Sequence, residues 1–305
     1  MFREFKQLEM FILFKKKLTD KLIAWFFAIN GISTIALVLG IFTFLAIIGL
    51  QAFTQISPLE FFFSTDWNPT SYVQPSWGIL SLVVGTLYIA VFSLIIAVPL
   101  GIACAIYLAQ IASSSVRELL KPAIEMIAAL PSVVLGLLGL LVLAPAVADF
   151  FGLSSGLNAF TASILVAIMA LPTIISISED AITSVPKGYT EASLALGANN
   201  WQTIRNVVVP SAMSGIIAAV MLGLGRVVGE TMVVLMVAGN ARAFPAGFFD
   251  PVRPMTATIA IEIKEVVVGE LHYQALYAVG LVLFVMTFIV NFAADIYLHR
   301  QEGKM

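Results

Sequence analysis

The chain has 305 residues, of which 60% are hydrophobic and 11% are charged, with a formal net charge of −2. Soluble domains carry about 25% charged residues, and the mean hydropathy here is +1.01, so a water-soluble fold could not bury this much apolar surface. The single cysteine excludes an intramolecular disulfide and a cysteine-based metal site. The sequence has no basic stripe with interleaved aromatic residues, so nucleic-acid binding has no support.

Six long apolar segments divide the chain, five of them free of formal charge, and each is close to or longer than the roughly 20 residues that a helix needs to cross a ~30 Å hydrocarbon core. Only helices and closed barrels satisfy their backbone in lipid, and these segments do not alternate like barrel strands. The sequence therefore predicts an all-α integral membrane protein with six transmembrane helices. The predicted spans cover 22–50, 78–108, about 126–147, 160–177, about 211–239 and about 273–294.

The distribution of Lys and Arg predicts the orientation of the chain. Twelve of the 16 fall on one predicted side of the membrane and three on the other. Because positive charge is retained on the inside, both termini are predicted to be cytoplasmic, with an arm (1–20) ahead of a transmembrane domain (21–305). The first outer loop holds Trp67, Tyr72 and Trp77, which predict an aromatic belt at the outer interface.

Two loops are long enough to carry function. The cytoplasmic loop 179–210 predicts helix, turn, helix over 189–209, with the turn at 197–200, because Gly and Asn tolerate the left-handed backbone of a helix end. From its residues alone, this segment is either a docking surface for a cytoplasmic partner or a plain connection. The outer loop 241–271 predicts a short external helix or a partly re-entrant segment over 255–268.

Two charges, Arg226 and Glu230, lie within the fifth predicted span. A charge inside a bilayer costs about 2.5–3.5 kcal/mol on insertion scales, so it usually faces a partner, a cavity or a pathway. Four residues apart in an unbroken helix, the two share a face and could neutralise each other. The guanidinium is also a planar fork that matches phosphate oxygens, with Glu230 holding the arginine when no anion is bound. Both interpretations stay open from the residues alone.

Other features bear on kinks and on chemistry. Pro99, Pro131 and Pro172 are predicted to kink the spans that contain them. The chain has no Gly-x-x-x-x-Gly-Lys-Ser/Thr loop, so we expect no cofactor on it. Its two histidines, His272 and His299, build neither a His-Glu-x-x-His site nor a Ser-His-Asp arrangement at matching depth. We therefore expect a membrane protein that is not an enzyme.

The cytoplasmic segment resembles the EAA motif of ABC-importer permeases. Residues 191–197 read Glu-Ala-Ser-Leu-Ala-Leu-Gly, and Val207-x-Val209-Pro210 follows at the spacing of that family, with Ser193 in place of the second Ala. In the family this segment is a coupling helix that docks on an ATPase, so the resemblance favours the docking interpretation. The coupling residues that it implies are Glu191, Ala192, Ser193, Gly197, Ala198 and Asn199.

Further motifs resemble the permeases of the phosphate importer, and the PstC-type subunit more than its PstA-type sister. They lie at 63–69, at 129–136 (Ala-Leu-Pro-Ser-Val-Val-Leu-Gly) and at 223–232, which contains Gly-Leu-Gly-Arg and Gly-Glu-Thr-Met. The resemblance implies a type I ABC-importer permease fold with a transport core of about 78–298. The pathway or gate residues that it implies are Arg226, Glu230 and Thr231.

The resemblance also implies partners and a location. They are a sister permease in a heterodimer, an ABC ATPase dimer that holds ATP and Mg, and an extracytoplasmic phosphate-binding protein, all at the plasma (inner) membrane. Two other functions compete with phosphate import. One is a permease for another oxyanion, sulfate or molybdate, because an Arg fork suits any of them. The other is an ATP-independent anion channel or carrier, against which the coupling segment argues.

Overall fold

The computed structural model describes the backbone of residues 2–302 and the side chains of residues 20, 21, 23–293 and 296. The cationic side chains before Lys21, together with His299, Arg300 and Lys304, therefore lie outside the described residues, and the orientation drawn from them stays a prediction. The backbone of the arm 1–20 continues into the first span as one helix from Phe2.

The described elements are almost all helical. In chain order they are α1 (Phe2–Gly49), α2 (Pro58–Phe63), β1 (Trp67–Asn68), β2 (Ser76–Trp77), α3 (Leu80–Ile106), α4 (Ser114–Ala129), α5 (Ser132–Leu138), α6 (Ala144–Phe151), α7 (Ala159–Thr183), α8 (Lys187–Ala195), α9 (Asn200–Thr203), α10 (Val209–Ser211), α11 (Met213–Val228), α12 (Met232–Val237), α13 (Met255–Glu262) and α14 (Leu271–Glu302). The strands β1 and β2 form an antiparallel hairpin. Short π-helical turns at Tyr107–Ile111, Gly139–Leu143 and Ile204–Val208 join helices that would otherwise be separate.

Membrane-spanning helices dominate this architecture. In the described part of the chain, five helical segments are long and apolar enough to cross a membrane, and a sixth results if Asn200–Ser211 and Met213–Val228, bent by 68°, form one span. The prediction of an all-α fold with six spans is therefore confirmed, with the fifth span bent and broken. The other five spans are Ile23–Thr54, Leu80–Ile111, Ser132–Phe151, Ala159–Thr183 and Leu271–Ala293.

The third span begins later than predicted. Helix α4 ends at Ala129, Leu130 is extended with ψ 131°, and Pro131 immediately precedes α5. Because the residue before a proline disfavours the helical backbone, Leu130 and Pro131 separate α4 from the span instead of kinking a continuous helix. Pro99 and Pro172 lie inside α3 and α7, as predicted.

Helix α7 is the centre of the bundle, and Ile174 shows how its neighbours are placed. Ile174 is fully buried. A Cβ on Gly101 of α3 would lie 2.7 Å from its side chain, and so would a Cβ on Gly223 of α11. Small residues let membrane helices approach closely, so Gly101 and Gly223 allow α3 and α11 to pack tightly against the same side chain of α7. This packing fixes the depth of Arg226, three residues beyond Gly223.

A charge network ties the end of α7 to α4. Glu179, predicted to begin the cytoplasmic loop, instead lies inside α7 with a side chain that is 1% exposed. It accepts hydrogen bonds from Arg117 and, at 2.6 Å, from Lys121. Lys121 also bonds Asp180 at 3.0 Å. The hydrogen bond to Glu179 raises the pKa of Lys121, so the ammonium group of Lys121 stays charged around neutral pH.

The two neighbouring carboxylates make a matched test of this network. We expect Glu179→Gln to lower the free energy of unfolding by about 2 kcal/mol, less than for a fully buried pair because both cations are partly exposed. Asp180 contacts the same lysine but is 68% exposed, so Asp180→Asn should change stability by less than about 1 kcal/mol. Denaturant unfolding in detergent measures both. Equal effects would contradict the burial argument.

Candidate functional site

The fifth span is broken at the candidate gate. Helix α11 ends at Val228 and α12 begins at Met232, so the prediction of one helix over about 211–239 is wrong. The Glu230 carboxylate explains the break, because its Oε1 accepts hydrogen bonds from the backbone N–H groups of Met232 at 3.0 Å and Val233 at 3.1 Å. These are donors that a helix start leaves without intrahelical partners. Glu230 therefore caps α12.

Arg226 lies in the last turn of α11, where the helix dipole favours a cation. Its Nε donates to the Met169 carbonyl of α7 at 3.0 Å. Pro172, three residues further along α7, disturbs the hydrogen-bond ladder of that turn because it has no N–H. Arg226 and Glu230 form no ion pair among the described residues, so of the two interpretations left open by the sequence, mutual neutralisation is not observed. The Nη atoms of Arg226 bond no other described residue, and the side chain is exposed in this single chain.

The other predicted gate residue, Thr231, stays within the break. Its hydroxyl donates to the Gly229 carbonyl at 3.2 Å. The structure thus places Arg226, Glu230 and Thr231 within one short stretch, with the cation and the carboxylate bound to different partners. Thr256, which the sequence analysis did not single out, also contacts this stretch. Its Oγ1 donates to the Glu230 carbonyl at 3.0 Å.

Thr256 belongs to α13, the short helix of the loop 241–271. That helix ends at Glu262 rather than near residue 268, and most of its first turn is buried. The Met255 N–H donates to Thr86 Oγ1 of α3 at 3.0 Å. A helix is present within the predicted range 255–268, and the choice between an external helix and a partly re-entrant segment stays a prediction. Nothing in the local sequence indicated its contact with the break at Glu230.

At its other end α13 carries a buried carboxylate, and we call its surroundings the Glu262 cluster. Glu262 accepts from Arg253 at 2.9 Å, bonds His272 at 2.8 Å and accepts from Trp67 Nε1 at 3.1 Å, while Arg242 lies 3.8 Å away. Burial raises the pKa of Glu262, but the His272 hydrogen bond, the Arg253 charge and the Trp67 N–H outweigh burial and hold the pKa below its ordinary value.

The Glu262 cluster corrects one prediction. Trp67 was expected in an exposed aromatic belt, but it is fully buried, while Tyr72 is fully exposed. The indole N–H of Trp67 donates a hydrogen bond to Glu262, 195 residues away in the chain. A buried tryptophan usually satisfies its N–H with such a partner.

The coupling segment folds as predicted. Helix α8 ends in a Schellman motif, in which Ala198 N–H bonds Ser193 O, Gly197 N–H bonds Leu194 O, and Gly197 has a φ of +86°. Asn199 and Gln202 then form a capping box that starts α9. The Ser193 and Thr203 hydroxyls lie 2.9 Å apart and join the two helices.

The surface of this segment is open and partly apolar. Glu191 and Ala192 are exposed on α8, and Leu196, at the turn, is 90% exposed. An open cavity of about 950 Å³ lies between α8 and the start of α11, lined in part by Tyr189, Leu196 and Met213. Met213, which lines this cavity, and Arg226 lie at opposite ends of α11, roughly 20 Å apart over thirteen residues.

Comparison with known proteins gives a family match and curated relatives. The family model described as "Binding-protein-dependent transport system inner membrane component" matches residues 97–303. The chain is 42% identical over 84% of its length to "Probable ABC transporter permease protein YqgH" of Bacillus subtilis (strain 168), covering 83% of that protein. It is 36% identical over 80% of its length to "Phosphate transport system permease protein PstC" of Mesorhizobium japonicum, covering 80% of that protein.

Solved structures show the same fold at low sequence identity. A bacterial alginate ABC transporter in complex with an alginate-bound periplasmic protein matches with a TM-score of 0.62 and 17% identity, over 90% of this chain and 94% of that chain. The MetNI methionine ABC transporter, in inward-facing conformations, matches with a TM-score of 0.55 and 19% identity, over 73% of this chain and 94% of that chain.

The lowered pKa of Glu262 makes the Glu262 cluster pH-sensitive on the acid side. Its charge contributes stability above the ordinary pKa of 4.5, and that contribution is lost as pH falls through the lower pKa of the folded state. We expect Glu262→Gln to lower the free energy of unfolding by roughly 3 kcal/mol at about pH 7, and by less at about pH 3.5. Unfolding in detergent at both pH values measures this.

The matched control for that experiment is Glu270→Gln, because Glu270 is exposed and follows α13 closely in the chain. It should change stability little at either pH. A difference between Glu262→Gln and the parent chain that persists unchanged into acid would show that Glu262 acts by shape and not by charge.

Proposed function

The chain belongs to the family of binding-protein-dependent transport system inner membrane components and has the type I ABC-importer permease fold, and on that premise we propose that it is the PstC-type transmembrane subunit of an ATP-driven phosphate importer. The names of several relatives support phosphate as the substrate. The observation that carries the proposal is the Arg226 guanidinium, which is held at the end of a broken membrane helix with both Nη atoms unbonded to described residues.

The chemistry of Arg226 suits a tetrahedral oxyanion. Its Nε is committed to the Met169 carbonyl, which orients the planar fork and lowers the entropy lost when an anion binds. The two Nη groups then present a bidentate edge to phosphate oxygens. Oε1 of Glu230 caps α12, and Oε2 is available to accept a proton from a protonated phosphate. Thr231 adds a hydroxyl beside it.

The conformational change driven by ATP would be transmitted to this chain through the coupling segment, residues 191–199. Glu191, Ala192 and Ser193 lie on α8, and Gly197, Ala198 and Asn199 form the turn that follows. The bonds between α8 and α9 make this segment one unit. It continues through a 68° bend into α11, so a shift of α8 tilts α11 and moves Arg226 at its far end. Such a lever fits switching between outward- and inward-facing states.

The proposed assembly supplies what this chain lacks. ATP and Mg bind to a separate ABC ATPase dimer, and no cofactor binds to this chain. A sister permease completes the pathway as a heterodimer, and an extracytoplasmic phosphate-binding protein delivers the anion. The complex lies in the plasma (inner) membrane, with both termini of this chain cytoplasmic. The exposed apolar surface of the single chain, including Leu137, Leu141 and Leu222, is available to lipid and to the sister subunit.

The function is tested by uptake of radiolabelled phosphate into proteoliposomes that hold this chain, the sister permease and the ATPase, with binding protein outside. Uptake should require ATP inside and should persist in excess sulfate and molybdate. Uptake without ATP would contradict the importer and support a channel or carrier. Competition by sulfate or molybdate would point to a permease for another oxyanion.

The role of Arg226 is tested in the same vesicles. Loss of a charge-assisted hydrogen bond costs about 1.5–3 kcal/mol, so Arg226→Gln should lower uptake about 10- to 100-fold while the ATPase remains bound. Arg226→Lys keeps the charge but loses the planar fork, so its uptake should lie between that of the parent chain and that of Arg226→Gln. The control is Lys264→Gln, because Lys264 is an exposed cation of the outer loop. Normal uptake by Arg226→Gln would remove Arg226 from the pathway.

A further inference from the structure

The backbone at the break depends on one side chain from another element. The Glu230 carbonyl accepts a hydrogen bond from Thr256 Oγ1 at 3.0 Å, and no backbone N–H of the described residues bonds to it. A carbonyl inside a membrane protein that loses its partner carries the full desolvation penalty. The Thr256 hydroxyl, on a residue that is 7% exposed, therefore decides whether the break keeps this geometry.

Helix α13 connects this contact to the outer Glu262 cluster. Glu262 lies six positions after Thr256, which is roughly 9 Å along a helix. Both ends are anchored, since Met255 N–H bonds Thr86 of α3 and Glu262 bonds Arg253, His272 and Trp67. Thr258, between the ends, is fully buried. Because α13 is short and is bonded at both ends, we expect it to move as one unit. A displacement of the Glu262 cluster would then be transmitted through Thr256 to the Glu230 carbonyl.

We propose that Thr256 is a positioning residue for the gate and that α13 links the gate to the Glu262 cluster at the outer face. The inference rests on the proposed function, because it assigns Glu230 and Arg226 to the phosphate pathway. The Thr256 hydroxyl holds the Glu230 backbone so that the carboxylate can cap α12 and keep its second oxygen toward the path. Without the hydroxyl, the break loosens and ATP hydrolysis no longer gates phosphate tightly.

The chain contains a matched control for this role. Thr258 lies on the same helix, is also buried, and its hydroxyl also bonds a backbone carbonyl, but that carbonyl is Pro254 O of the preceding turn at 3.1 Å. Thr256→Val and Thr258→Val therefore remove the same group from the same helix. Only the first removes a bond to the break. Thr256→Ser keeps the hydroxyl and loses a methyl group.

The experiment measures phosphate transported per ATP hydrolysed in proteoliposomes with the sister permease, the ATPase and phosphate-loaded binding protein. Thr256→Val should lower this ratio about tenfold, which corresponds to ~1.4 kcal/mol, with ATP hydrolysis retained. Thr256→Ser and Thr258→Val should keep the ratio of the parent chain. Thr256→Ala gives the same test with a smaller side chain if Thr256→Val does not assemble.

The outcomes separate the two proposals. If the parent chain transports phosphate and Thr256→Val matches Thr258→Val, the positioning role is wrong and the importer stands. If Thr256→Ser loses coupling as fully as Thr256→Val, packing of the methyl group and not the hydroxyl is responsible, and the positioning role is again wrong. If the parent chain transports no phosphate, the proposed function itself fails.

Discussion

Two charged side chains must be accommodated inside an otherwise apolar span, and the rest of the arrangement follows from how each finds partners. A charge at the centre of a membrane helix costs about 2.5–3.5 kcal/mol on insertion scales, and more when it is unpaired. Here the helix ends between the two charges. Glu230 satisfies the first N–H groups of α12, and Arg226 donates to a carbonyl beside a proline-disturbed turn. Backbone groups thus satisfy each charge, and the two Nη groups of Arg226 remain unbonded to described residues.

The packing of the bundle sets where this break lies. Gly101 and Gly223 let α3 and α11 close on Ile174 of α7, so α11 has little freedom to slide. Gly136 of α5 approaches Met232 and Met236 of α12 in the same way. The segments on either side of the break share α7 as a neighbour, but α11 also packs on α3 and α14, whereas α12 also packs on α5 and α13. Movement of the coupling segment would be expressed as tilting of α11 relative to α12, with Glu230 at the joint.

The sequence predicted the parts of this account that depend on local chemistry. The spans follow from composition, and the turn at Gly197 follows from a residue that accepts a positive φ. The boundary at Leu130 could have been read from the residue before Pro131, but a continuous apolar stretch favoured an unbroken helix. The break at Glu230 has no such local marker, because its glutamate looks like half of an i, i+4 pair until its backbone partners are known.

The remaining misses depend on long-range contacts. Trp67 looked like an interfacial tryptophan because its hydrogen-bond partner, Glu262 of α13, lies 195 residues further along the chain. Thr256 had no feature that distinguished it from Thr258 until the fold placed one of them against the Glu230 carbonyl. Glu179 looked like the first residue of a polar loop, and only the position of α4 explains its burial. Pairings of this kind cannot be read from a single sequence.

The central claim is that Arg226 lines a water-filled path whose access changes with the ATP cycle. It is tested most directly by Arg226→Cys in a chain whose single native cysteine is removed by Cys104→Ala, assembled with its partners. The account predicts that a water-soluble, membrane-impermeant thiol reagent modifies the new thiol, at rates that differ between the resting and the ATP-trapped transporter. A thiol that stays unreactive in both states, while one introduced by Lys264→Cys reacts, would contradict it.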